Sequence, residues 1–357
     1  MGKVDHREFG PSRASWVDVS SPGGYTEDEL LAGLRRLLTA DAPGITVGVG
    51  DDAAVLELGR HPAVLTTDLL VEGVHFRRSA TTAHDLGFKA ISVNVSDVAA
   101  MGGSPRYATV GLGLRSGAEA PFVMELYGGM LEAATDYGLS IVGGDLSRAD
   151  RVVIAVTVVG EVASGRAVTR AGARPGDRIV VTGGLGAAAG GLRLAEAPPS
   201  AVHDALGTEW ARELVGAHAR PVARVGEGQT LAGSGATAMM DLSDGLSIDL
   251  RRLCAESGVG ARLRALAVPV APALHDLQKV LGTDPVELAL HGGEDYELLA
   301  TLPADAVDGA LRALGERYGT SLAEIGEITD DPGRVVLADE TGAERDLAPG
   351  GWDHFAP

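Results

Sequence analysis

Short apolar runs alternate with longer segments of helical periodicity along most of this chain, and that alternation constrains its fold more than any other feature. Strands are expected over residues 63–70, 107–114, 151–159, 178–182, 238–242 and 297–302. A shorter one over 139–142 is expected to end at Gly143-Gly144-Asp145. Thr26 and Glu29 have capping-box spacing and predict a helix over 27–38. Thr82 and Asp85 mark another start, followed by Leu86, Ala90, Val93, Asp97 and Met101 at helical spacing. Further helices are expected over 121–137 and 246–256, the second closed by Gly258. Such an order predicts the α/β class, in its α+β sandwich form. At 357 residues the chain exceeds one ordinary domain. The turn-rich run from Thr169 to Asp177 suits a junction between residues 25–168 and 169–357, with 1–24 as an N-terminal tail.

Composition narrows the function. The formal charge is −19 and lysine stands only at Lys3, Lys89 and Lys279, which argues against nucleic-acid binding because that needs basic surface. If the ligands are phosphates, something must shield them from these carboxylates, and a divalent metal is the natural agent. The lone Cys254 excludes an internal disulfide framework, and its apolar helical setting predicts a buried structural thiol. No apolar run reaches the roughly 18 residues a membrane helix needs, and residues 1–21 lack a signal core. No membrane association and a cytoplasmic location are expected.

Six places set a carboxylate beside Gly, Ser or Thr: Gly50-Asp51-Asp52, Thr66-Thr67-Asp68, Ser96-Asp97, Gly143-Gly144-Asp145, Asp241-Leu242-Ser243-Asp244-Gly245 and Gly293-Glu294-Asp295. Singly, each reads as a turn or cap. Some resist that reading. Asp97 lies on the apolar stripe of its helix, where an unpaired carboxylate costs several kcal/mol and therefore calls for a cation. Asp241 ends an apolar strand. Asp244 stands where a helix begins and could serve as its N-cap. Oxygen donors without a His/Cys cluster indicate a hard ion, Mg²⁺ in preference to Zn²⁺.

Other phosphate-binding devices are weaker. The run Gly184-Leu185-Gly186-Ala187-Ala188-Ala189-Gly190 misses the dinucleotide fingerprint by one residue, and small residues for close helix packing explain it as well. The chain holds no P-loop and no protein-kinase signature set. Among nine histidines only His75, in Val71-Glu72-Gly73-Val74-His75-Phe76, stands out, and by position alone it reads as a loop histidine.

Taken in order, these motifs resemble the thiamine-monophosphate kinase family of the aminoimidazole ribonucleotide synthetase-like superfamily. The matching segments are residues 50–56, 66–76, 89–102, 142–145, 241–246, 292–298 and 351–355. The resemblance implies the two-domain aminoimidazole ribonucleotide synthetase-like fold, a homodimer paired through the N-terminal domain, and transfer of the ATP γ-phosphoryl group to thiamine monophosphate. It also implies Mg²⁺ at Asp52, Thr66, Thr67, Asp68, Asp97, Asp145, Asp241 and Asp244, with Asp97, Asp145 and Asp244 acting in catalysis through the metal. ATP is implied at Gly144, Asp145, Arg170 and Ser243, and the thiamine phosphate at His75, Glu294 and Trp352. A phosphate monoester is already largely dianionic near neutral pH, so the acceptor needs no general base.

Related readings remain: an aminoimidazole ribonucleotide synthetase-like enzyme, or a non-catalytic nucleotide and Mg²⁺ binder. A selenophosphate synthetase would carry a reactive cysteine near its N-terminus, and the hydrogenase-maturation relative a cysteine-bearing C-terminal tail. Cys254 fits neither.

Overall fold

The computed structural model describes residues 44–48, 50–59, 61–117, 120–163 and 167–352. The tail 1–24 and the helix expected over 27–38 lie outside the described residues. The first half runs β1 (Ile45–Val47), β2 (Ala54–Leu56), β3 (Ala63–Val71), α1 (Ala83–Ala100), β4 (Ser104–Leu114), α2 (Ala120–Tyr137), β5 (Ser140–Arg148) and β6 (Val153–Glu161). Its six strands form one sheet in the order β1-β2-β3-β6-β4-β5, antiparallel except for the β4–β5 pair.

Thr82 caps α1 as its spacing predicts, accepting a hydrogen bond from the Asp85 N–H at 3.0 Å. The helix is buried nearly all round because it is clasped between the sheet and α2. Leu86, Ile91, Val95 and Val98 pack on Val64, Val110, Ile154 and Val158 of the sheet. On its other side α1 meets α2 backbone to backbone: a Cβ at Gly87 would come within 1.9 Å of the Leu126 carbonyl, and one at Gly129 within 1.8 Å of that of His84. Only glycine fits at either contact.

The second half continues with β7 (Arg178–Thr182), α3 (Ala187–Glu196), α4 (Pro199–Val202), α5 (Glu209–Ala219), α6 (Val225–Gly233), β8 (Ala238–Asp241), α7 (Leu246–Ser257), β9 (Gly260–Arg264), α8 (Leu274–Leu281), α9 (Pro285–His291), β10 (Leu298–Leu302), α10 (Val307–Tyr318), β11 (Leu322–Thr329), β12 (Val335–Ala338) and β13 (Glu344–Asp346). A seven-stranded sheet runs β13-β12-β9-β11-β7-β10-β8. Its middle strands are covered on both faces, which is why they read as unbroken apolar runs. Ile179, Val181, Met240 and Leu299 face Leu250, Leu253 and Cys254 of α7. Val180, Met239, Leu298 and Ala300 face Leu231 of α6 and Leu314 of α10. Mixed sheets with helices make this the expected α/β class. Among the described residues no helix is long and apolar enough to cross a membrane.

Helix α1 also packs against α6 and β8, and Ala100 at its end joins the core of the second half. It is the element that both halves share. Helix α7 closes on Gly258 in the left-handed region, as expected. Strand β5 departs from expectation. It does not stop at Gly143-Gly144-Asp145 but carries that segment within its length, paired with β4. A Cβ at Gly144 would come within 1.9 Å of the Val110 carbonyl, so the glycine permits close strand approach instead of a turn.

Candidate active site

Three aspartates from distant parts of the chain converge. Asp52 precedes β2, Asp97 lies on α1, and Asp241 ends β8. Each offers a carboxylate oxygen, and these oxygens lie within 4.8 Å of one another. Thr66 Oγ1 on β3 donates to Asp97 at 2.5 Å, and Ser96 Oγ on α1 donates to Asp241 at 2.6 Å. Asp52 Oδ1 receives the Arg170 guanidinium at 2.5 Å, while its Oδ2 is buried without a hydrogen-bond partner. Asp68 is close by: it stands two residues after Thr66 on the same face of β3, and its N–H donates to Asn94 of α1 at 2.9 Å.

Crowded negative charge shapes the electrostatics. Burial pushes the Asp97 carboxyl well above the usual range, and Asp68, Asp241 and Asp52 push further. Asp241 is raised by burial and then by Asp52, against the Ser96 hydrogen bond. Asp68 rises to about 6 through burial, Asp244 and Asp52. Asp51 rises to about 6 through burial and Asp52, opposed by the Arg170 N–H that it accepts. Burial works against the charge on Arg170, but Asp52, Asp51 and Asp241 hold it protonated above its ordinary value. The orphaned Asp52 oxygen and an all-oxygen donor set fit a hard divalent cation, whose charge would reverse these shifts.

The loop after β8 is held differently from its sequence expectation. Asp244 is not the N-cap of α7; Gly245 holds that position, with φ 124°. The cap is supplied from inside the helix by Asp249, whose Oδ2 accepts the N–H groups of Asp244 and Gly245, both at 3.0 Å. That leaves the Asp244 carboxylate near Asp68, with Arg252 bound to it and to Asp249. Asp249 itself rises to about 7 through burial and the Asp244 charge. The Ser243 carbonyl accepts the Glu294 N–H at 2.7 Å, and the Asp244 carbonyl accepts the Trp352 N–H at 3.3 Å. Ser243, Asp244, Glu294 and Trp352 therefore meet at one loop.

Glu294 stands in the left-handed region at φ 67°. Its Oε1 lies 2.6 Å from Lys89 Nζ and its Oε2 3.0 Å from His218 Nδ1. Burial would raise its carboxyl, yet Lys89 and then His218 hold it down at about 2. His75 sits in the turn after β3, where its Nδ1 accepts the Val71 N–H at 3.0 Å.

Thr67 and Asp145 lie elsewhere. The register Leu69–Ala155–Gly111–Asp145 places Asp145 on the face opposite Asp68, the open face that also bears Thr67. Thr67 Oγ1 donates to the Val156 carbonyl, and Asp145 accepts from Ser147 at 2.7 Å. Gly144 is buried in neither core and belongs to the edge strand β5.

The near-fingerprint at Gly184–Gly190 resolves as packing. The N-terminus of α3 is occupied by Asp295, which accepts the N–H groups of Gly186 at 2.6 Å and Ala188 at 3.2 Å. A Cβ at Gly190 would collide with Leu274. The sequence reading missed Lys89, Asn94, Ser96, His218, Asp249 and Arg252. A lysine inside the apolar stretch of α1, in a chain so poor in lysine, was the one available signal.

A family model for AIR synthase related protein, N-terminal domain, matches residues 50–162, and one for the C-terminal domain matches 174–339. The thiamine-monophosphate kinase of Aquifex aeolicus is 37% identical over 307 residues, spanning 86% of this chain and 92% of the relative. That of Bacillus subtilis is 32% identical over 317 residues, spanning 87% and 94%. The solved structure of AaThiL complexed with AMPPCP and TMP superposes with a TM-score of 0.78 at 35% identity, over 92% of this chain and 97% of that one.

Proposed function

We infer the reaction from one premise: the chain belongs to the thiamine-monophosphate kinase family within the AIR synthase related proteins. It is a thiamine-phosphate kinase that uses ATP as co-substrate. Beyond that, we propose direct in-line transfer of the γ-phosphoryl group to the phosphate of thiamine monophosphate, assisted by Mg²⁺ held by aspartates. One observation carries the proposal: carboxylate oxygens of the buried Asp52 and Asp241 and the half-buried Asp97 lie within 4.8 Å of one another, and Asp52 Oδ2 has no protein partner.

Asp52, Asp97 and Asp241 would hold the metal, with Asp68, Asp244 and Thr66 beside them. Asp145, with Gly144, would serve the nucleotide, and Thr67 and Asp145 would reach a metal only outside the three-aspartate cluster. When bound, the metal neutralises charge on two phosphates that otherwise repel each other. The chain's own groups do the rest. Arg170, oriented by Asp52, presents a permanent positive charge beside the transferring group. Ser243 and Glu294 are fixed to each other through the backbone. The Val71 N–H donates to His75 Nδ1, which fixes the ring in the turn after β3 for contact with the acceptor. The Trp352 indole can stack on a cationic heterocycle. No side chain has to take a proton from a phosphate that is already anionic.

The same proposal includes the division into domains at 25–168 and 169–357, a cytoplasmic location and a homodimer. Support for the dimer is the open face of the first sheet, where Leu65, Leu69 and Tyr107 are exposed.

Incubation with ATP, Mg²⁺ and thiamine monophosphate should give thiamine diphosphate and ADP in equal amounts. Chirally labelled γ-phosphate should arrive inverted. No product from a folded, ATP-binding sample overturns the kinase reading, and retention of configuration overturns direct transfer.

A further inference from the structure

Outside the aspartate cluster, the most tightly engineered group of charges surrounds Glu294. Lys89 is only 4% exposed and projects from α1, in the first half of the molecule. Its ammonium contacts Glu294 Oε1 at 2.6 Å and the His218 carbonyl at 3.1 Å. His218, near the end of α5, places Nδ1 3.0 Å from the other Glu294 oxygen. The Glu294 backbone is left-handed, an unfavourable state for a side chain with a Cβ, and Tyr296 repeats it at φ 50°. Both residues are pinned to the β8 loop through Glu294 N–H to Ser243 carbonyl at 2.7 Å and Tyr296 N–H to Leu242 carbonyl at 2.9 Å. A strained backbone persists only where the surroundings over-determine it, and such positions gather at ligand clamps.

We propose that Lys89 and His218 are positioning residues that hold Glu294 as a charge-compensated hydrogen-bond acceptor for an N–H group of the acceptor substrate, rather than as a free anion for its cationic ring. This rests on the reading that Glu294 contacts the thiamine phosphate. The compensation follows from contact: one ammonium lies directly on one carboxylate, so the pair offers little net charge to a cation. A carboxylate has about four acceptor sites on its two oxygens, so lone pairs remain after both contacts. Those lone pairs suit a directional donor, such as an exocyclic amine, and penalise an analogue with oxygen in its place. A site built to hydrogen-bond a donor discriminates strongly, because the analogue sets an oxygen lone pair against those of the carboxylate.

The test separates KM from kcat in the full-length protein with Mg²⁺. In Lys89→Met the KM for thiamine monophosphate should rise roughly tenfold or more, as for a lost hydrogen bond to a charged group. The KM for ATP should not change. Glu294→Gln should weaken acceptor binding too, and Lys89→Met added to Glu294→Gln should bring no further loss. His218→Asn, which keeps a donor, should stay near wild type, whereas His218→Phe should raise the acceptor KM; this pair decides if Lys89→Met fails to fold. Wild type should bind thiamine monophosphate far better than its analogue with oxygen for the amine, and Glu294→Gln should narrow that ratio. Equal rises in both KM values, additive losses in the double variant, or an unchanged acceptor KM overturn the inference while wild-type turnover still upholds the function. A wild type that makes no thiamine diphosphate overturns the function and this inference with it.

Discussion

Two groups of buried carboxylates in this molecule meet opposite fates. At the aspartate cluster, Asp97 and Asp241 are pushed well above the usual range by burial first and then by neighbouring aspartates. At the neighbouring Glu294, the carboxyl is held at about 2 because Lys89 and His218 outweigh burial. Glu297 also receives its countercharge from the chain: Arg224 grips it through Nε at 2.8 Å and Nη2 at 2.5 Å, and Thr182 donates at 2.6 Å. Burial is common to both groups, so it does not decide their chemistry. What decides is whether the chain supplies the countercharge. Where it does, the carboxylate organises the protein. Where, among the described residues, Arg170 alone pairs with the Asp52, Asp97 and Asp241 group, an outside countercharge completes the balance.

The contrast can be broken by substitution. Asp97→Asn should lower kcat by roughly 10²–10³-fold, the scale seen when one electrostatic stabiliser of a transition state is removed. Its metal-free fold should be no less stable than wild type, since a repulsive buried charge has gone. A fall in melting temperature with turnover intact would reverse the assignment. Glu297→Gln should do the opposite. Breaking a buried ion pair costs about 3 kcal/mol, read as a shift of the urea midpoint, with the Mg²⁺ dependence of turnover unchanged. Metal addition sharpens the distinction. Mg²⁺ at about a hundred times its dissociation constant should stabilise wild type by about 2.7 kcal/mol. That gain should disappear in Asp97→Asn and survive in Glu297→Gln.

The effect confined to stability concerns two adjacent residues. Asp295 is raised from 3.8 to about 7 by burial, against the two N–H groups it caps, whereas Glu294 is lowered from 4.5 to about 2. Folded Asp295 binds its proton more tightly than unfolded Asp295, so its contribution to stability falls as pH rises from about 4 to 7. Glu294 contributes stability that is present above about 4.5 and lost as pH falls towards 2. Metal-free unfolding curves across pH should show both slopes. Asp295→Asn should flatten the first alone and Glu294→Gln the second alone.

Much of this was legible in the residues, for local reasons. Thr82 and Asp85 announce a cap because both partners lie within one turn, and Gly258 announces a helix end for the same reason. Asp97 and Asp241 stand out because a carboxylate in an apolar pattern is conspicuous wherever its partners are, whereas Asp52 is marked by the family resemblance alone. The failures are non-local. The face to which Asp145 points depends on the register of β4, β5 and β6, which no run of residues encodes by itself. Gly143-Gly144 reads as a turn, but its backbone is needed against Val110 of the neighbouring strand. Asp244 has the spacing of a cap, but Asp249, five residues on, caps the helix from within its first turn. Lys89 and His218 meet Glu294 only after three elements have packed, so neither pattern nor spacing could pair them.

Helix α1 carries Lys89 at the acceptor end and Asp97 at the metal end, eight residues later by position number. At 1.5 Å per residue that separation is about 12 Å along the axis, rigidly set by main-chain hydrogen bonds. Under the proposed reading the helix is a ruler: it gauges the distance between the organic part of the acceptor and its reacting phosphate. One residue inserted between those positions would turn everything beyond it by about 100° and lengthen the gauge by one rise. Length selectivity for the acceptor would then be a property of a single helix's pitch, and not of the loops that touch the substrate.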